Sequence, residues 1–555
     1  MSKKFTAIFL SSIDLKAIWL ASGFTLSFLV WEAAVLKVPF IKYFFHTAET
    51  YNIKYFLFLQ SIVIFSGILL FLYVYAALIS PIGWKIVSIL IFSFIVFFEY
   101  GYLNSLGRFS TEVDLEIALF MTNFEQKTGA ISSYLSWMAI IPSLLFAGLI
   151  LRYKSSRSFG KNYLLPISLF FTILFYFVVS TYFKQHFFGA DFPLVSFENF
   201  FKVSVEIPPN WIITYNGNRE ELPQLKIEAP PKKNIVFITD ESLRVDHMSL
   251  YGYSRETTPY LDKLEKAGKL TKFDSCVSGT TCSHSSASLL LTGVQIADLP
   301  DKDFKTKRYP TLYQYARAAG YKVHFLDGQM ANFWNSPYRD QKYVDDWKNN
   351  SDFSKTAAKA SDIDFEVAKE VKRIVSTSTG NFIWVWKRGV HFPYNDDYPA
   401  DSAQWKPVSN SAQLASIPRE ELVNSYDSAI KYNSDGFFKI LAPAIEENEN
   451  TVLIYTSDHG QNLRDGEQLA THCQQTKNEA NVPLFMLGEF DTELPADFPA
   501  RHENIFPTLL DLMDIPASFR KYDYADSLLN PRAKRPKHRY YWSLDVTSGN
   551  RLEFD

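Results

Sequence analysis

Three cysteines in 555 residues, Cys276, Cys282 and Cys473, are too few for a disulfide framework. One bridge is compatible with them, but the sequence selects no pair and leaves the redox compartment open. An excess of positive charge is also missing. Lys and Arg number 56 against 59 Asp and Glu, and the net charge of −3 argues against a nucleic-acid partner. No internal repeat or low-complexity tract occurs. The length exceeds what one hydrophobic core organises, so at least two domains are expected.

Apolar runs are abundant, and they crowd into the first third. A helix needs about 20 apolar residues to cross the hydrocarbon of a bilayer. Five stretches qualify: Ala17–Leu36, Phe56–Ile79, Trp84–Leu103, Tyr134–Leu151 and Tyr163–Phe183. Glu32 and Glu99 are the acidic exceptions within them; Glu32 reads either as a bundle-facing structural carboxylate or as a mark of a polar path for a lipid headgroup. The first stretch lacks a small-x-small cleavage site and is followed by further spans, so it is not read as a removable signal. Lys3, Lys4 and Lys16 precede the first span, and Arg152, Lys154, Arg157 and Lys161 follow the fourth. The positive-inside rule therefore sets a cytoplasmic N-terminus and exports everything after Phe183. Residues 184–233 form a connector ending in Pro223, Pro230 and Pro231. Its Phe188, Phe192, Phe197, Phe200 and Phe201 suit an amphipathic helix on the membrane surface or a linker packed on the soluble domain.

Beyond residue 233 short apolar runs alternate with helical patterns. Asn234–Thr239, Tyr321–Leu326, Phe382–Trp386, Thr451–Thr456 and Pro483–Leu487 read as buried strands. Pro259–Lys266, Ser285–Leu291, Thr311–Ala319 and Asp362–Ser376 read as helices between them. The expected fold is an α-helical five-span membrane domain (1–183) plus an α/β domain (234–555) with a mostly parallel sheet sandwiched by helices. Ligands of such sheets collect at the carboxyl ends of the strands.

The first strand ends in Asp240-Glu241, and a later one runs into Asp458-His459-Gly460. Carboxylates and an imidazole delivered to one sheet edge suit Zn²⁺ or Mn²⁺; either pair alone would serve as well to cap a following helix. The segment 278–286, SGTTCSHSS, gathers hydroxyls and a thiol ahead of the apolar run Ala287–Leu291. A helix N-terminus offers free N–H groups and positive potential, which favour an ionised nucleophile beside a bound anion. A plain capping loop has the same composition. His391 and His472 follow strands and suit acid–base work or phosphate binding, against a supporting or surface role. Gln329, just past the Tyr321–Leu326 strand, joins the substrate-binding candidates.

The run 241–259, ESLRVDHMSLYGYSRETTP, resembles the E-[TS]-x-R-x-D-H-x-S-x-x-G-Y-x-R-[DE]-T-x-P run of the membrane phosphoethanolamine transferases, within the alkaline phosphatase and sulfatase superfamily. Ser457-Asp458-His459-Gly460 is similar to that family's S-D-H-G. Gly389, His391 and Pro393 are similar to its G-S-H-G-P, and 121–125, MTNFE, to its periplasmic-loop signature. The resemblance implies an α/β domain on the periplasmic side of a bacterial inner membrane. It also implies Zn²⁺, with Mn²⁺ as an alternative, held by Glu241, Asp458, His459 and the nucleophile oxygen. His391 and His472 match histidines that contact phosphoethanolamine, and Thr122, Asn123 and Glu125 match a substrate-binding loop. Asp240 departs from the family's common glycine and resembles the paired acids of sulfatases, which implies help with a second metal.

The family's nucleophile is a threonine followed three residues later by serine. Counting forward from Gly279 lands on Cys282, with Ser285 three later; counting back from Thr292 lands on Ser283, with Ser286 three later. Ser283 is favoured because a helix resists insertion, with Cys282 and Thr281 left open. Conversion of Cys282 to formylglycine is not expected, since C-S-H-S-S lacks the C-x-P-x-R pattern. The implied activity is metal-dependent transfer of phosphoethanolamine from phosphatidylethanolamine to lipopolysaccharide, lipid A or another glycan, through a covalent enzyme intermediate. The low cysteine count leads away from lipid A itself, and a monomer among membrane lipids is expected. The rival readings are a membrane-anchored sulfatase or phosphodiesterase, a phosphoglycerol transferase, and an inactive structural or sensor protein.

Overall fold

The computed structural model describes residues 14–35, 67–106, 110, 137–154, 196, 200, 217–223, 225–226, 229–329, 338–409, 417–466, 471–530, 532–547 and 549–555. The chain divides into two compact units, Met1–Thr214 and Tyr215–Asp555, with the division inside the expected connector.

In the first unit, helices Leu15–Val35 and Ile82–Leu106 correspond to the first and third expected spans. Both are long and apolar enough to cross a membrane. Gly67–Ile79 and Met138–Arg152 are shorter apolar helices in the second and fourth stretches. The fifth stretch, Tyr163–Phe183, and most of the connector lie outside the described residues. The packing is inverted relative to a water-soluble bundle. Leu15, Trp19, Leu26, Ile82, Leu90, Leu144 and Leu145 are more than half exposed, whereas Glu32, Ser88 and Glu99 are fully buried. Outward apolar side chains match a hydrocarbon solvent, and inward polar groups must then find partners within the protein. Glu32 finds them in the backbone N–H of Ser196 at 3.2 Å and in the Tyr100 hydroxyl at 3.4 Å. Lys85 Nζ donates to the carbonyls of Ile150 and Tyr153, which lie at the C-terminal end of the Trp137–Arg152 helix and carry its negative dipole end.

The second unit holds β1 (Asn234–Asp240), β2 (Leu270–Lys272), β3 (Ser275–Val277), β4 (Lys322–Asp327), β5 (Asp346–Lys348), β6 (Asn381–Trp386), β7 (Thr451–Ser457), β8 (Asn481–Val482), β9 (Leu484–Leu487) and β10 (Pro499–Arg501). Seven of them form one sheet in the order β2-β9-β7-β1-β6-β4-β5. β9 is antiparallel to both of its neighbours, so it alone runs against the rest. The sheet is therefore mixed but mostly parallel. Every residue of β1, β6 and β7 is buried, which explains why these strands read as unbroken apolar runs rather than as alternations. Helices Pro259–Lys266, Ser283–Thr292, Leu312–Ala318 and Ile363–Thr377 fall where the sequence places them.

Register fixes what reaches the sheet edge. Asp240 lies opposite Ser457, Thr239 opposite Trp386, and Trp386 opposite Asp327. The residues after β1, β4, β6 and β7 therefore leave the sheet side by side. Trp384 anchors the centre of this arrangement. It is fully buried among Phe237, Tyr313 and Phe325, and its indole N–H donates to the Thr239 hydroxyl at 3.0 Å. Trp384→Ala is expected to cost about 3–5 kcal/mol of stability, read as a lower denaturant midpoint by circular dichroism.

Candidate active site

Glu241 and Asp458 are both fully buried at the exits of β1 and β7. Asp458 N–H donates to the Asp240 carbonyl at 2.9 Å, extending the β1–β7 pairing by one step and fixing the two acids as neighbours. Ser242 takes a left-handed conformation (φ 58°), which turns the chain sharply after Glu241. Its hydroxyl donates to Glu241 Oε1 at 2.6 Å and its N–H to Asp458 Oδ1 at 3.0 Å. His459 Nδ1 donates to the Gly460 carbonyl at 2.7 Å, which leaves Nε2 as the lone-pair nitrogen. That nitrogen lies 3.6 Å from Glu241 Oε1 and 3.4 Å from Asp458 Oδ2.

Ser283 is the first residue of its helix, with Cys282 as N-cap. Its Oγ stands 3.0 Å from His459 Nε2 and 3.3 Å from Glu241 Oε2. The other nucleophile candidates are placed differently. Cys282 is bonded to Cys473 in a disulfide, so it has no thiol to attack with, and that expectation is corrected. Thr281 points away, its hydroxyl donating to the Gln474 carbonyl at 2.9 Å. Ser286 Oγ donates to the Asp458 carbonyl at 2.8 Å and ties the helix to the β7 exit.

His472 stacks near His459, with ring centroids 4.4 Å apart, and His391 lies 6.3 Å from His472. Gln461 gives its amide N–H to the Tyr394 hydroxyl, so its oxygen accepts from His472 Nδ1 at 3.2 Å; His391 Nδ1 donates to the Phe392 carbonyl at 2.7 Å. All three imidazoles thus have their Nδ1 protons committed to oxygen acceptors, the usual supporting arrangement of metal-binding or phosphate-binding histidines. Gln329 Nε2 donates to Glu241 Oε2 at 2.6 Å and joins the same cluster. Thr122, Asn123 and Glu125 lie outside the described residues.

Asp240 does not join. Its Oδ2 accepts from Lys387 Nζ at 2.6 Å, from the Tyr455 hydroxyl and from Ser434 at 3.1 Å, and its Oδ1 accepts from Glu241 N–H at 3.0 Å. Both oxygens are occupied and the charge is met by a fully buried ammonium, so the expectation of a metal ligand here is corrected. Lys387 escaped the sequence reading. The available signal was a Lys-Arg pair directly after an apolar strand, at the edge where Asp240 emerges. Asp364 accepts from the N–H groups of Arg388 and Gly389 and shapes this exit. Gly389 has φ 64°, and a Cβ there would strike Asp240 Oδ1 and the Glu241 backbone, so only glycine lets the two exits close together.

The long run 241–259 contributes Glu241 to the cluster; other members brace it. Arg244 forks onto Asp246 and reaches Asp465, and His247 Nδ1 pairs with Asp427 at 2.7 Å.

Burial opposes ionisation of Glu241, yet His459, His391 and His472 hold its carboxyl down at about 2. Burial and the neighbouring Glu241 charge push Asp458 well above the carboxylate range. Burial pulls His459 below the usual imidazole value, against the pull of Glu241. Asp458 Oδ2 is buried with no hydrogen-bond partner among the described residues. Oxygen and nitrogen donors from Glu241, His459 and His472 lie within 4.8 Å of one another. A divalent cation fits this set: it gives the orphaned oxygen a partner and offsets the two clustered carboxylates.

The sulfatase family model matches residues 233–515, more than half of the chain. The chain belongs to the sulfatase family. Among curated relatives of this sulfatase-family chain, phosphoethanolamine transferase EptA of Helicobacter pylori is 28% identical over 233 residues, 41% of this chain and 42% of the relative. Phosphatidylethanolamine transferase Mcr-2 of Escherichia coli is 27% identical over 296 residues, covering 51% and 54%. The chain spans about half the length of the curated relatives it matches. The zinc complex of the periplasmic domain of EptC from E. coli has a TM-score of 0.51 at 22% identity, covering 61% of this chain and 97% of that one. The integral membrane lipooligosaccharide phosphoethanolamine transferase A of Neisseria meningitidis has a TM-score of 0.64 at 17% identity, covering 89% and 95%. Both likenesses establish a shared fold.

Three outcomes are expected from the carboxylate pair. Burial and the Glu241 charge raise the Asp458 carboxyl, and a cation needs it ionised, so Zn²⁺ binding is expected to be accompanied by proton release that grows as pH falls, read as a heat that varies with buffer ionisation enthalpy. The depressed Glu241 carboxyl works oppositely. It favours the folded state above about pH 4.5, and that contribution is lost as pH falls toward 2. Asp458→Asn keeps the acceptor for Ser242 and His459 and is expected to leave metal-free stability unchanged or higher, while weakening Zn²⁺ affinity by about 10- to 100-fold or more.

Proposed function

We propose that the chain transfers phosphoethanolamine from phosphatidylethanolamine to a lipopolysaccharide-type glycolipid or glycan, using Ser283 as nucleophile. The observation that carries this reading is the position of Ser283 Oγ, at a helix N-terminus, 3.0 Å from His459 Nε2 and 3.3 Å from Glu241. The names of the relatives supply the donor headgroup. Glu241, Asp458, His459 and Ser283 Oγ would hold a Zn²⁺ ion, which would supply Lewis-acid charge that favours the serine alkoxide and polarises phosphate oxygen.

Ser283 Oγ attacks the phosphodiester phosphorus; the new O–P bond forms as the bond to diacylglycerol breaks. The serine proton leaves through the histidine cluster to the diacylglycerol oxygen. His391 and His472 present imidazole nitrogen to the phosphate, and the N–H groups at the start of the Ser283–Thr292 helix meet its negative charge. The acceptor hydroxyl or phosphate then attacks the phosphoethanolamine–Ser283 ester and regenerates the enzyme, a ping-pong cycle.

Five spans with a cytoplasmic N-terminus would anchor the chain in the inner membrane and place the catalytic unit in the periplasm. The Cys282–Cys473 disulfide agrees with that oxidising compartment. Full-length protein incubated with headgroup-labelled phosphatidylethanolamine is expected to carry one label on Ser283 by intact and peptide mass. Ser283→Ala is expected to lose the adduct and to lower turnover by about 10⁴-fold or more. Label retained by Ser283→Ala would overturn the assignment, and free headgroup without adduct would point to a hydrolase.

A further inference from the structure

The disulfide lies where it can act on the chemistry. Cys282 immediately precedes Ser283 and Cys473 immediately follows His472, across a separation of 191 residues. Two hydrogen bonds run alongside it: Cys473 N–H donates to the Thr281 carbonyl at 2.9 Å, and Thr281 Oγ1 donates to the Gln474 carbonyl at 2.9 Å. The turn on the histidine side is conformationally forced. Thr471 has φ 88° and Cys473 φ 61°, so a β-branched residue and a cysteine both sit in left-handed space around His472. L-residues other than glycine seldom adopt that region, and such backbone persists only where its surroundings over-determine it. One side of the turn is secured by reciprocal backbone hydrogen bonds between Thr471 and Asn462, at 2.8 and 3.1 Å. The other side is secured by the cross-link.

We propose that the Cys282–Cys473 disulfide positions His472 and Ser283 for the reaction, so that the site is competent only in the oxidised chain. Closed, the bond holds the forced turn, keeps the His472 ring against His459 and fixes the N-cap from which Ser283 projects. Opened, the turn relaxes, His472 leaves the cluster and the serine loses its register. Opening takes two electrons and two protons from a dithiol donor, which departs as its own disulfide. The third cysteine does not compete, because burial pushes the Cys276 thiol up to about 12, keeping it protonated, and it is fully enclosed beside β10. The proposal rests on the catalytic reading of Ser283 and His472, and it assigns the two cysteines as positioning residues.

The test uses the full-length protein in detergent. A water-soluble phosphine opens the bond, taking one oxygen from water and leaving two thiols, and alkylation mass after denaturation counts one free cysteine before treatment and three after. Zn²⁺ affinity is read by competition with a chromogenic chelator, and kcat and KM are read with phosphatidylethanolamine. Reduction is expected to weaken Zn²⁺ affinity by about 10- to 100-fold and to lower kcat more than it raises KM, while circular dichroism keeps its folded signature. Reoxidation is expected to restore both. The double variant Cys282→Ser/Cys473→Ser is expected to match reduced wild type and to ignore the phosphine. Zn²⁺ affinity and kcat within twofold of the oxidised protein after full reduction would overturn the proposal. If the double variant does not fold, reduced wild type decides alone. An oxidised protein that binds Zn²⁺ without turning over phosphatidylethanolamine defeats the transferase reading, and the affinity change on reduction still decides the positioning role.

Discussion

Glu241 and Asp458 are held side by side in full burial by the parallel pairing of β1 with β7, and this crowding of like charge organises the site. Among the described residues no Lys or Arg pairs with either carboxylate. The neighbours are imidazoles whose Nδ1 protons already point to oxygen acceptors and whose charge favours the ionised form of Glu241. Two buried carboxylates with one orphaned oxygen form an incomplete electrostatic arrangement, and a divalent cation completes it. The contrast with Asp240, one residue away and fully neutralised by Lys387, makes the asymmetry specific. The fold places three acids at one edge, satisfies one internally and leaves two for a ligand.

Much of this was legible in the sequence because it depends on strand exits. The strands β1, β6 and β7 are buried on both faces, so their unbroken apolar runs announced them, and the acids after them marked the edge. The two registers for the nucleophile separated only in three dimensions. Helix continuity favoured Ser283, and the structure adds that Cys282 is spent in a bond and Thr281 is turned to Gln474. What stayed hidden depends on long-range partners. Lys387 reads as one more polar residue after a strand, and its meaning appears only when Asp240, 147 positions away, lies 2.6 Å from it. The disulfide pair was equally invisible, because three cysteines allow three pairings and composition ranks none of them. The reversed strand β9 shows the limit of pattern reading, since an apolar run carries no direction.

The first unit follows the same chemistry with an apolar exterior. Leu15, Trp19, Leu90 and Leu144 face outward, and Glu32 and Lys85 are enclosed with hydrogen-bond partners supplied by Ser196, Tyr100 and helix-end carbonyls. Phe24, Phe28, Phe92 and Phe146 interlock at ring separations of 4.3 to 6.3 Å and fill the space between the helices. Composition alone marked these segments as apolar, but the inward turn of the few charged residues required the packed helices to be seen.

The internal ammonium at Lys387 has one more consequence. A chelator that strips a bound cation cannot remove a covalently attached one. The positive charge beside Asp240 therefore persists through every cycle of loading and depletion, and with it the backbone frame formed by Asp240, Glu241 and Gly389. Charge and scaffold at this edge are set by separate groups: Lys387 and Asp240 hold the frame, and Glu241 with Asp458 faces the site.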